Sequence, residues 1–224
     1  MIVVASHNSV SLVNSFLAKL STINLCNHDV LVVDTNSDDP SYLNEFSRLI
    51  KQYPRFRFER KAYTCWDSGA YIHAYANYQD TKYLFFQDSL EITNPNLIQE
   101  IDSRLNEVDV LAFANFKYQY DSEEQRNWVE SDIEFTDHPE DGIFGPIFSV
   151  TRNTLDRIPK HWLKVPTNKL QGCGMERRWS LMFNAIGAKK SYMEYFKTHS
   201  DFVGFYENPS KYSSSMKKIL VGRK

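Results

Sequence analysis

The chain has 224 residues, 42% of them hydrophobic and 14% aromatic, with a formal net charge of −2. That length holds one sizeable core and leaves two full domains cramped, and the apolar share is that of a globular chain rather than a disordered one. A net charge this small excludes the broad positive field of a nucleic-acid binder.

In chain order, Ile2 to Ala5 is a β-branched run that predicts a buried strand at the start. Ser6-His7-Asn8-Ser9 follows, then Leu12, Val13, Phe16, Leu17, Leu20 and Ile23 at helical spacing. Val30 to Val33 is a second continuous apolar strand, ending at Asp34. Asp39-Pro40 reads as an N-cap with proline at the first helical position, opening a helix expected to bury Leu43, Phe46, Leu49 and Ile50. Phe56 to Glu59 predicts a third strand, Asp67 to Tyr78 a helix, and Tyr83 to Phe86 a fourth strand closed by Gln87-Asp88-Ser89. Alternating strands and helices predict an α/β fold with a mostly parallel central sheet flanked by helices. Ligands in such sheets bind outside the carboxyl ends of the strands, which singles out Ser6 to Asn8, Asp34 to Asp39 and Gln87 to Ser89.

The second half is less regular. Asn94-Pro95 opens a helix through Leu105, Val108 to Ala114 is a strand, and the span from Asp121 to Asp141, with nine acids against Arg126 alone, reads as a solvated surface loop. A strand near Ile147 to Thr151 and a short helix from Asn153 follow. Met175 to Ile186 predicts a helix with Gly187 beyond its end, entered through a glycine-rich approach. Aromatic residues crowd the stretch from Phe113 to Trp128, either as a stacking platform or as core. One domain is expected over 1–224: a nucleotide-binding half at 1–92, an irregular half at 93–210 and a basic tail at 211–224. That tail, with five bases and no acid from Lys211, either touches anionic lipid weakly or only aids solubility. Three widely spaced cysteines fit a reducing compartment and neither a disulfide framework nor a zinc site. No run approaches the ~20 apolar residues of a bilayer span, so a cytoplasmic location is expected.

Val3-Val4-Ala5-Ser6-His7-Asn8, Val32-Val33-Asp34-Thr35-Asn36-Ser37 and Tyr83-Leu84-Phe85-Phe86-Gln87-Asp88-Ser89 together resemble the successive donor-site signatures of GT-A-type glycosyltransferases. The likeness is nearest to the large inverting family of nucleotide-sugar-dependent polysaccharide enzymes, and Trp66-Asp67-Ser68-Gly69-Ala70 matches its helix before the metal motif. The resemblance implies a single GT-A-like domain with a Rossmann-like donor half and an acceptor half. It implies a nucleoside-diphosphate sugar as donor, UDP-linked first, and a glycan or glycoconjugate hydroxyl as acceptor. Ser6, Asn8, Asp34, Asn36, Asp67, Gln87 and Asp88 are then the donor-binding residues. Asp34 is suited to accept a base N–H, or to cap the following turn; Ser6 and Asn8 meet base or ribose, or N-cap the first helix.

The family's metal motif is usually Asp-x-Asp, whereas Gln87-Asp88-Ser89 supplies one carboxylate. Mn²⁺ or Mg²⁺ is implied as cofactor, with Asp88 and a distant His199 as its ligands, or else the enzyme manages without a tightly held ion. Direct displacement needs a carboxylate to take the acceptor proton. Glu176, read as a first-turn residue after Gly172 and Gly174, is the leading candidate, and Asp141, before Gly142-Ile143-Phe144-Gly145-Pro146, is its rival. Arg177 and Arg178 are either phosphate partners or surface charges. Two other readings stay open: a non-catalytic nucleotide-sugar-binding domain of the same fold, and a nucleotidyltransferase. The second lacks the glycine-rich, basic first loop that cradles a triphosphate.

Overall fold

The computed structural model describes residues 1–62, 65–145, 147–194 and 216–218. The first half runs β1 (Ile2–Ser6), α1 (Val10–Leu20), β2 (Val30–Asp34), α2 (Pro40–Gln52), β3 (Arg57–Arg60), α3 (Trp66–Asn77) and β4 (Lys82–Gln87). A short β5 (Leu90–Ile92) and α4 (Leu97–Arg104) lead to β6 (Val110–Lys117), α5 (Glu123–Glu130), β7 (Asp141–Ile143), β8 (Phe148–Thr151) and α6 (Arg152–Asp156). After a 3₁₀ turn at Lys160–Trp162 come α7 (Lys169–Ala185), β9 (Lys190–Glu194) and β10 (Met216–Lys218), which pairs antiparallel with β5.

The central sheet has the order β3-β2-β1-β4-β8-β6-β7, with β9 also on β6. Strands β3, β2, β1 and β4 are parallel, as are β6 and β9; β8 runs antiparallel to both β4 and β6 and joins the two groups. Alternate residues of each strand face opposite sides, so Ile2 and Val4 pack with Phe16, Leu17 and Leu49 on one side, while Val3 and Ala5 pack with Tyr71 and Trp179 on the other. Both faces are covered, which is why the strands read as continuous apolar runs.

The predicted elements of the first half are present, with small shifts. Asp39 accepts from the Ser41 N–H at 2.7 Å and Pro40 opens α2, but the buried stripe is Tyr42, Phe46 and Leu49, and Ile50 is 46% exposed. The stripe is set one residue earlier because Tyr42 turns inward to reach Ser6.

The second half corrects three expectations. The acidic span is not one loop: Ser122 caps α5 through the Gln125 N–H, Glu123 and Glu124 suit its positive end, and Gln125 and Val129 are buried. The last helix begins at Lys169 rather than Met175, capped by Asn168, whose Oδ1 accepts from Gln171 N at 3.0 Å. Glu176 therefore lies in the middle of α7, and the two glycines are inside the helix. A Cβ on Gly172 would stand 2.8 Å from the Trp66 ring, so the glycine permits a close crossing of α7 and α3. Finally, Arg178 is no surface charge: it is fully buried, donating to the carbonyls of Trp128, Val129, Ser131 and Trp162. Burial pushes its guanidinium down to about 10. Among the described residues no helix is long and apolar enough to cross a membrane.

Candidate active site

Three strand ends meet at one edge of the sheet. Ser6 closes β1 and donates its hydroxyl to Asp88 Oδ2 at 2.7 Å, while Tyr42 donates to Ser6 Oγ at 2.7 Å. The His7 N–H also faces Asp88 Oδ2, at 3.4 Å, and the Asp88 N–H donates to the Ala5 carbonyl. Burial raises the Tyr42 phenol well above its ordinary value, so it stays a donor.

Asn8, at φ 50°, locks this loop to the next. Its Oδ1 accepts from the N–H groups of Asp38 and Asp39, its Nδ2 donates to Asp38 at 2.7 Å, and its own N–H donates to Ser37 Oγ. Asp34 is fully buried at the end of β2. Its Oδ1 accepts from Ser37 N at 2.9 Å and Ser37 Oγ at 2.6 Å, and its Oδ2 lies 3.2 Å from Arg60 Nε. The geometry of Asp34 is thus that of a turn cap, the carboxylate aimed into its own loop. Asn36 sits in that loop at φ 67°, a left-handed conformation asparagine tolerates better than most residues.

Gln87, at the end of β4, donates its amide nitrogen to Asp67 Oδ2 on α3 and to the Gly145 carbonyl at 2.9 Å. Gly145 lies where the chain leaves β7 before entering β8, in the left-handed region at φ 62°. Its N–H donates to Glu176 Oε1 at 2.9 Å, and Arg177 Nη1 lies 2.9 Å from Glu176 Oε2. Arg177 also holds Asp121 at 3.1 Å and the Gln119 carbonyl, over the face of Phe116. Its donors are spent within the protein, like those of Arg178.

Of the residues singled out by sequence, Ser6, Asn8, Asp34, Asp67, Gln87, Asp88 and Glu176 are linked in or beside this edge. Asp141 starts β7, opposite Lys117 in the ladder with β6. His199 lies outside the described residues, as does all of the basic tail except 216–218. Among the described residues no group of three or more His, Cys, Asp and Glu is placed to hold a metal. Phe113 and Phe116 are core, whereas Tyr118 and Tyr120 are half-buried and line up with Glu130. An open cleft of about 720 Å³ lies beside them, lined by Tyr120, Ser122, Glu123, Arg126, Asn127 and Glu130. A cavity of about 650 Å³ opens at the other, amino end of β2 and holds none of the predicted site residues. Tyr42 was missed in the sequence, and Ser37 and Gly145, though within segments it singled out, were given no role of their own. The positive φ of Gly145 is the kind of demand that a glycine before proline hints at and does not prove.

No protein-family model matches the chain, and no curated protein matches its sequence. Its fold, however, is shared with solved structures. Residues 1–349 of S. aureus TarS superpose with a TM-score of 0.52 at 13% identity, over 86% of this chain and 57% of that one. The same protein in complex with UDP-GlcNAc gives 0.54 at 13%, over 86% and 55%. The mannosyltransferase PcManGT from Pyrobaculum calidifontis, in complex with GDP-Man and Mn²⁺, gives 0.54 at 15%, over 85% and 54%. The chain thus spans a little over half the length of these structures. With its mixed sheet between two helical layers, the chain has a GT-A-like glycosyltransferase fold.

Proposed function

We propose that the chain transfers a sugar from a nucleoside-diphosphate sugar, UDP-linked first, to a hydroxyl of a glycan or glycoconjugate. One observation carries this reading: Gly145 shares its two backbone groups between Gln87 of the donor motif and Glu176 of α7. A carboxylate from the second half is thereby fixed beside the strand ends where a parallel sheet binds its ligand. Two of the solved structures that share the fold hold UDP-GlcNAc and GDP-Man, which supports the donor class.

In this reading the loops from Ser6 to Asn8 and Asp34 to Asp39 receive the nucleoside, with Asp34 shaping the base pocket through its turn. Glu176 takes the proton of the acceptor hydroxyl. The acceptor oxygen forms a bond to the anomeric carbon as the bond from that carbon to the phosphate oxygen breaks, and the nucleoside diphosphate leaves with the electron pair. The anomeric centre inverts. Such base catalysis contributes about 10²–10⁴-fold.

A divalent ion, Mn²⁺ or Mg²⁺, would neutralise the leaving diphosphate, and PcManGT was solved with Mn²⁺. The described donor set does not fit a cage for one. Gln87 turns its amide nitrogen to Asp67, and Asp88 Oδ2 already accepts from Ser6 and faces the His7 N–H. Mg²⁺ is commonly held by one or two carboxylates with water and substrate phosphates completing its shell, and the described residues bring no three candidate ligands together.

The test is transfer and donor hydrolysis with UDP-Glc, UDP-GlcNAc, GDP-Man and dTDP-rhamnose, with and without Mn²⁺. Glu176→Gln is expected to lower kcat at least about 100-fold while UDP affinity stays within about threefold. Wild-type turnover in Glu176→Gln removes its role, and loss of turnover in Asp141→Asn alone transfers that role to Asp141. The bonds already made to both Glu176 oxygens favour the second reading, a non-catalytic sugar-nucleotide-binding domain. Donor binding with no turnover across the acceptor screen would establish it.

A further inference from the structure

Gln87 opens the stretch Gln87-Asp88-Ser89, which supplies one carboxylate where the resembled family usually has two, and its surroundings suit an amide. The side chain is 7% exposed. Its nitrogen donates to two acceptors on different elements, the Asp67 carboxylate of α3 and the carbonyl of Gly145. An aspartate or glutamate here would set oxygen against oxygen at both. Gly145 has its carbonyl toward Gln87 and its N–H toward Glu176 Oε1, at 2.9 Å each. Its φ of 62° is open to glycine at little cost. Gln87 thus fixes one side of the residue whose other side fixes Glu176.

We infer that Gln87 is a positioning residue for Glu176, acting through the two backbone groups of Gly145, and not a ligand of a metal ion. This rests on the reading of Glu176 as the base. Removing the Gln87 amide releases the Gly145 carbonyl, and the Gly145 N–H then no longer fixes Glu176 Oε1, while Oε2 keeps its bond to Arg177. A misplacement of about 1 Å at a reacting group costs about 100-fold in rate. Donor binding, which draws on the loops of β1 and β2, is left in place.

The test is a double-mutant cycle on the full chain with Gln87→Ala, Glu176→Gln and the pair, read as hydrolysis of the best donor of the panel above. Gln87→Glu, of equal size, serves as a second variant. Gln87→Ala and Gln87→Glu are expected to lower kcat by about 10–100-fold with donor KM and calorimetric UDP affinity within about threefold, with or without Mn²⁺. In the Glu176→Gln background, Gln87→Ala is expected to change kcat by less than about twofold. Additive losses, or a UDP affinity that falls about tenfold and is restored by added Mn²⁺, overturn the inference and assign Gln87 to the donor. Wild-type turnover in Glu176→Gln sinks the base assignment and this inference with it. A readout without turnover runs beside these: the Gly145 amide is expected to lose about tenfold of its hydrogen-exchange protection in both Gln87→Glu and Glu176→Ala, the second of which removes its acceptor. Unchanged protection in Gln87→Glu overturns the coupling.

Discussion

The two halves of the sheet are built on different terms. From Ile2 to Gln87 strand and helix alternate, the strands are parallel, and most of the buried polar residues stand at strand ends: Ser6, Asp34, Thr35, Ser37 and Gln87, with Asp88 one step beyond. From Val110 onward the strands turn back on one another, and polar groups are buried inside the scaffold itself: Asn115, Gln125, Ser149, Thr154, Arg177, Arg178 and Ser180. The first half is held by apolar burial and gathers its polar groups at the carboxyl edge of the sheet, where they bond one loop to the next. The second spends polar groups on holding irregular backbone in place, because turns and short elements leave carbonyls that helices and ladders do not satisfy.

Arg178 is the strongest test of that contrast. Its guanidinium ties α7 to the end of α5 and to the 3₁₀ turn at Trp162. Arg178→Ala leaves several buried carbonyls without a donor and is expected to destabilise the protein by about 3–5 kcal/mol, read from urea unfolding. Arg178→Met fills most of the volume without restoring the donors, so it is expected to recover only a small part. A full recovery by methionine would show that packing, not hydrogen bonding, holds the second half.

The same contrast explains what was legible in the sequence. Continuous runs such as Val30 to Val33 have one structural reading when they alternate with helical stripes, so the parallel strands and the edge that carries Ser6, Asp34 and Gln87 could be read. Asp39-Pro40 marked a helix start because both residues act locally. In the second half the determinants are distant. Ser122 with two acids announces α5, yet the acidic composition around it hides Val129, whose burial depends on α7. Gly172 and Gly174 suggested an approach to a helix, because glycine usually weakens a helix interior. Gly172 lies against Trp66, about a hundred positions earlier, and Gly174 against Val129 and Trp128 of α5, neighbours that the sequence does not place. The coupling of Gln87 to Glu176 was equally hidden, since it passes through Gly145, remote in sequence from both.

Gly172 gives the middle-sized effect. Trp66 starts α3 at φ 53°, next to Asp67, with its ring against Gly172. In Gly172→Ala the helix gains about 1 kcal/mol of propensity, but a Cβ 2.8 Å from the ring adds an overpacking cost of about 1–3 kcal/mol. A net loss of about 1 kcal/mol is expected in thermal unfolding, together with slower turnover, because Trp66 moves Asp67 and with it Gln87. Gain of stability with unchanged turnover would mean that α7 and α3 are free to separate, and the tight crossing would not be part of the site.

The smallest effect is a pH dependence confined to the second half. Burial alone would raise the Glu130 carboxyl, but hydrogen bonds from His138, Tyr120 and Arg126 outweigh it and hold the group below its ordinary value. All three donors meet Oε1, at 2.8, 2.9 and 3.0 Å. A carboxyl with a depressed folded pKa contributes stability that is complete above the unfolded value of about 4.3 and is lost as pH falls through the folded value. Glu130→Gln removes that contribution, which is expected to be within about 1 kcal/mol since His138 and Arg126 are exposed. Urea midpoints of wild type and Glu130→Gln should therefore differ at pH 7 and converge as pH falls through the lowered folded value. Curves that stay parallel across that window would show that Glu130 acts by shape alone, and that the segment from Ser131 to Glu140 is held to α5 without its charge.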